Sequence, residues 1–90
     1  MSKVVLTEEQ RQKEKMLKRM DKFDSVVTEY LRATGFTTDQ FSARIGVSKS
    51  TLWRYRTHAE SFSKAPFSVI TAILHLANCS NETIRYICGL

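Results

Sequence analysis

Proline occurs once in this chain, glycine three times and cysteine twice. The few glycines and the proline act as punctuation between segments. Strict apolar–polar alternation is absent, so strands are not expected and the pattern is helical nearly throughout. No apolar run approaches the ~20 residues that a bilayer span needs. Residues 1–6 lack the apolar stretch of an export signal. Without such a signal, Cys79 and Cys88 read as reduced intracellular thiols, not as a disulfide framework. They lie nine apart, unlike a Cys-x-x-Cys ligand pair, and neither His58 nor His75 has a partner at metal spacing. No metal site and no cofactor are expected. Nothing points to an activated thiol or an oxyanion hole, so no enzyme is expected. Ninety residues make one small domain, too small for a deep enzymatic pocket. A hydrophobic fraction of 42% makes wholesale disorder unexpected.

What is present in excess is positive charge. The net charge is +5, which points to a polyanionic partner. The excess has two locations. Residues 1–22 hold seven Lys/Arg against four Asp/Glu, and residues 38–64 hold five against two. Residues 65–90 are neutral and read as a packing segment.

Thr7-Glu8-Glu9-Gln10 has the form of a capping box. Beyond it, Met16, Met20, Phe23, Val27 and Tyr30 recur at spacings of 4, 3, 4 and 3, one helical stripe that Gly35 ends. Residues 8–15 have no apolar face and read as solvated helix or disordered arm. Thr37 to Gln40 repeats the capping-box form and opens a second helix with Phe41, Ser42 and Ile45 inward. Ser48 caps a third helix, roughly residues 49–57. Residues 58–65 read as a polar loop. Pro66 suits the first turn of a fourth helix, with Phe67, Ile70, Ile73, Leu74 and Ala77 on one face and Asn78 as its stop. Ser80 caps a fifth, with Ile84, Ile87 and Leu90 inward. The expected fold is all-α with five helices: a helical domain over 23–90 preceded by a basic arm or helical extension over 1–22.

Residues 37–57 carry the chemistry. Two short helices joined by Gly46-Val47-Ser48 need a small residue where they cross, which Ser42 supplies, and a positive φ in the turn, which Gly46 supplies cheaply. Leu52 and Tyr55 pack down onto the first of the two. At 100° per residue, Ser50, Trp53, Arg54 and Thr57 then face outward with Lys49 at the flank. That face holds hydroxyls, cations and an aromatic, and no acid. Such a surface suits the DNA major groove: arginine bonds guanine edges, hydroxyls bond bases or phosphates, and an aromatic touches the thymine methyl. Ser48 sets a helix N-terminus beside phosphate.

These residues resemble the helix-turn-helix of the lambda-repressor/Cro-like (XRE) family. Its usual pattern is Gly-Leu-Thr-Gln, Leu-Ala, Gly-Val-Ser and Ile-Ser-Arg-Trp. Here stand Gly35-Phe36-Thr37-Thr38, Phe41-Ser42, Gly46-Val47-Ser48 and Leu52-Trp53-Arg54-Tyr55. The Pro-led helix at Pro66 and the turn Cys79-Ser80-Asn81-Glu82 match later family features, so the resemblance spans about residues 23–88. Thr38 departs from the usual Gln. Ser42 departs from Ala, and Arg56 stands where Glu is frequent. By resemblance, small stand-alone members are phage or prophage regulators, mostly repressors, that act as dimers on inverted repeats.

The candidate DNA-binding residues are Thr38, Ser48, Lys49, Ser50, Trp53, Arg54, Arg56 and Thr57. Trp53 is open to a core reading and Arg56 to a local ion pair. Arg44 and Lys64 read as solvated cations or backbone contacts. The expected partner is a double-stranded operator, bound by a homodimer in the cytoplasm of a bacterial or phage-infected cell, with no membrane and no small-molecule ligand. Two dimer surfaces are open, the apolar C-terminal stretch 83–90, which is favoured, and the Met16/Met20/Phe23 stripe; the remaining alternative is a monomer that dimerises only on DNA. The basic arm reads as a solvated face, a source of phosphate contacts or a partner helix. An AlpA-like activator or excision factor, to which Gly46–Arg54 is also similar, and a protein-interaction module such as an antitoxin are the competing functions.

Overall fold

In the computed structural model, which describes residues 7–90, six helices account for the architecture: α1 (Glu8–Thr34), α2 (Thr38–Ile45), α3 (Lys49–Thr57), α4 (Ala59–Lys64), α5 (Phe67–Leu76) and α6 (Asn81–Ile87). No strand occurs among the described residues, so the fold is all-α. No helix among them is long and apolar enough to cross a membrane. The reading of residues 1–6 lies outside the described region.

The helix boundaries follow from local hydrogen-bond chemistry. Thr7 and Gln10 form a reciprocal capping box at α1, and Thr37 and Gln40 form one at α2. The hydroxyls of Ser48 and Ser80 accept from the N–H of Thr51 and Thr83. Gly35 and Gly46 end α1 and α2 with φ of 75° and 85°, a region that costs other residues about 1–2 kcal/mol. Asn78, at φ 56°, does the same after α5.

The stripe of α1 enters the core as its spacing requires. Met20, Phe23 and Val27 are buried against Phe41, Leu52, Ile73, Leu74 and Ile87, with Met16 and Tyr30 packed at the edge. Residues 8–15 are all exposed and all helical, so the basic extension and the first core helix are one continuous rod.

The structure corrects the expected helix count. Residues 58–65 are no plain loop: Ala59–Lys64 form α4. Phe62 anchors it, buried with its ring 5.6 Å from that of Phe23. Pro66 lies just outside α5, as its N-cap. Phe67 and Leu90, expected inward, are exposed, while Ile70, Ile73, Leu74, Ile84 and Ile87 are buried. Ile70, Ile73 and Leu74 of α5 already fill the space over α1, and the first turn of that helix lies beyond the core's edge.

Candidate nucleic-acid interface

The arrangement of α2 and α3 begins with what is buried. Phe41 and Ser42 of α2 and Leu52 of α3 turn inward, with Val47 and Tyr55 packed at the margin. The turn closes with the Gly46 and Val47 N–H groups both donating to the Ser42 carbonyl, at 2.9 and 3.2 Å. With Leu52 fixed inward, the helical period leaves Ser50, Trp53, Arg54 and Thr57 on the outer face, and all four are exposed. Trp53 is 55% exposed, so it belongs to the surface and not the core.

Thr38, Lys49, Ser50, Trp53 and Arg56 line one open depression of about 280 Å³ at the junction of the two helices. The first N–H groups of α3 open at the same place, because Ser48 satisfies only Thr51 and Leu52. This end of the site therefore offers backbone donors, two hydroxyls and a cation together, a combination suited to an anion.

The charged residues divide into anchored and free. Arg56 donates from Nε to Asp24 at 2.6 Å and from Nη2 to Thr28 at 2.9 Å, both on α1. Of its two open readings, the local ion pair is the one formed, and it ties α3 to α1. Where the resembled family often has an acid at this place, the chain has the opposite charge and finds an acid on α1. Lys49 pairs with Asp39 at 3.7 Å, but both side chains are exposed, so the pair is worth no more than ~1 kcal/mol and yields readily to another anion. Arg54 makes no ion pair among the described residues.

Hydroxyl roles also divide. Thr57 donates to the Trp53 carbonyl at 2.8 Å, and Ser48 is engaged in its cap. Both are tied to the helix ends. Ser50 makes no side-chain hydrogen bond among the described residues. The Lys64 amine is bonded to Glu60 at 2.9 Å, which holds the Glu60 carboxyl below its usual range. The Arg44 guanidinium lies 5.2 Å from the centre of the Phe36 ring.

Two supporting residues were not singled out from the sequence. His58, between α3 and α4, sets its ring 4.9 Å from that of Trp53 in a tilted aromatic contact. Asp24 positions Arg56. Asp24 carries no local signal, because only the fold brings it near Arg56; His58 lies five residues from Trp53, at the end of the same helix. Among the described residues, no group of three or more His, Cys, Asp or Glu is placed to hold an ion. Burial pushes the thiols of Cys79 and Cys88 above their ordinary values.

Compared with family models, curated proteins and solved structures, the chain has no significant match to any of them.

Proposed function

We propose that this chain is a sequence-specific DNA-binding regulator of the lambda-repressor/Cro-like kind, acting as a repressor in the cytoplasm of a bacterial or phage-infected cell. Helix α3 enters the major groove. Arg54 reads a guanine edge, Ser50 bonds a base or phosphate, and Trp53 covers a thymine methyl or the adjoining sugar. Thr38, Lys49 and the first N–H groups of α2 and α3 hold the flanking phosphate and so fix the helix in register. Arg56 acts from behind, by fixing α3 on α1.

The observation that carries this reading is the outer face of α3: Lys49, Ser50, Trp53 and Arg54 are all exposed on one side of a helix whose opposite side is locked into the core, with no carboxylate among them. The all-helical course after Pro66 favours it over the AlpA-like reading, in which a wing would follow.

A single α3 spans only a few base pairs, so two copies on an inverted repeat, with half-sites about 34 Å apart, are proposed as the bound form. Of the two dimer surfaces open from sequence, the Met16/Met20/Phe23 stripe has Met20 and Phe23 in the protomer's own core; two copies that meet only on the DNA need neither that stripe nor the 83–90 face. The test is selection of bound fragments from a random duplex pool. Recovery of an inverted repeat with that spacing supports the reading. Recovery of no preferred sequence, or binding that hardly weakens as salt rises, favours a protein-interaction module instead.

A further inference from the structure

We infer that the groove between the basic half of α1 and the C-terminal helices is a docking site for an acidic, apolar-anchored segment of a partner protein. Three of the four large hydrophobic residues exposed on the described surface lie there: Phe67 at 56%, Tyr86 at 49% and Leu90 at 73%. They border two depressions of about 190 and 330 Å³ that meet at Arg19, with Ile87 buried beneath. Leu90 is held in place, its N–H donating to the Arg85 carbonyl at 2.8 Å.

The rim on the other side is cationic. Lys15, Lys18 and Arg19 line the groove, no Asp or Glu side chain does, and none of the three makes an ion pair among the described residues. Arg19 is the most constrained. Its Nε is buried without a hydrogen-bond partner, and its guanidinium lies so close over Gly89 that a Cβ there would stand 3.2 Å from Nη1. A planar fork fixed in this way beside an apolar surface suits a carboxylate.

The pairing of charge and apolar surface selects the occupant. A nucleic-acid backbone would meet the cations but leave Phe67, Tyr86 and Leu90 against sugar and phosphate. A second copy about a two-fold axis passing through the cationic rim would set Lys15, Lys18 and Arg19 near their own equivalents. An acidic segment bearing aromatic or aliphatic side chains satisfies both halves, in the manner of an amphipathic helix laid in a groove. At 100° per residue, Lys15, Lys18 and Arg19 leave α1 on the side opposite Asp24 and Thr28, the residues that hold α3. The groove is therefore open when α3 is occupied, and the inference does not depend on DNA binding.

The experiment is selection from a displayed library of random peptides on the full chain, then affinity measurement with the winning peptide. Winners rich in Asp or Glu together with Phe, Trp or Leu are expected. Their affinity should fall about tenfold or more for Lys15→Glu/Lys18→Glu, which reverses exposed charges, and for Tyr86→Ser/Leu90→Ser, with the helical signal retained in both. Winners without acids, or affinities unchanged in both variants, overturn the proposal. Displacement of the peptide by duplex DNA overturns it in favour of a nucleic-acid surface. An intact protein that sediments as a dimer and is dissociated by Tyr86→Ser/Leu90→Ser overturns it in favour of a second copy.

Discussion

Ser42 is buried, and its hydroxyl finds no hydrogen-bond partner among the described residues. An unsatisfied buried hydroxyl is a liability of roughly 1–3 kcal/mol in the folded state. Ser42→Ala should therefore leave the melting temperature unchanged or raise it, whereas Ser42→Leu should cost about 1–3 kcal/mol by forcing α2 from α3. A thermal melt of the two variants checks both signs. The two cysteines give a second test at this scale. Desolvation raises both thiols, outweighing the nearby Lys22 for Cys79 and Arg19 for Cys88. A raised thiol value means less thiolate at a given pH, so iodoacetamide should label both residues more slowly in the folded chain than in denaturant at neutral pH. Rates equal in the two states would contradict the burial of these thiols.

Among the elements, α4 depends most on a single side chain. It has six residues and no side-chain cap, so little but the burial of Phe62 against Phe23 holds it. Phe62→Ala should cost about 3–5 kcal/mol and reduce the helical signal, as circular dichroism with melting would show. The same helix marks the limit of sequence reading. Four other helices announce their starts through Thr7, Thr37, Ser48 and Ser80, whose capping role depends on neighbours three residues away and is therefore local information. α4 has one large apolar residue, with Ala59, in a polar stretch too short for any period, and the partner of Phe62, Phe23, is far away along the chain. Phe67 illustrates the converse. Its spacing to Ile70 and Ile73 suits the buried face, yet it lies past the edge of what α1 can cover. In α3 the division into Leu52 inward and Trp53 outward was readable from period alone. The Arg56–Asp24 pair was not, because it joins residues 32 positions apart.

On the scale of the whole molecule, the described residues measure 52 × 25 × 23 Å, with an α1 of 27 residues extending the long axis. Positive charge lies on two separate faces, the outer side of α3 and the exposed half of α1. If α3 carries the DNA contact, Lys49→Ala should flatten the dependence of log K on log salt by about one unit, whereas Lys15→Ala should leave that slope nearly unchanged. Deleting residues 86–90 is a poor probe of assembly, since Ile87 is part of the core; substitution of Tyr86 and Leu90 alone avoids that loss.

The central claim is that the outer face of α3 reads sequence. The most direct measurement compares wild type and Arg54→Ala on the selected duplex and on a scrambled duplex at one fixed salt concentration. Loss of about 1–3 kcal/mol on the selected duplex, with little change on the scrambled one and relaxed preference at one base pair, is the predicted result. Equal losses on both duplexes, or no loss on either, would contradict it.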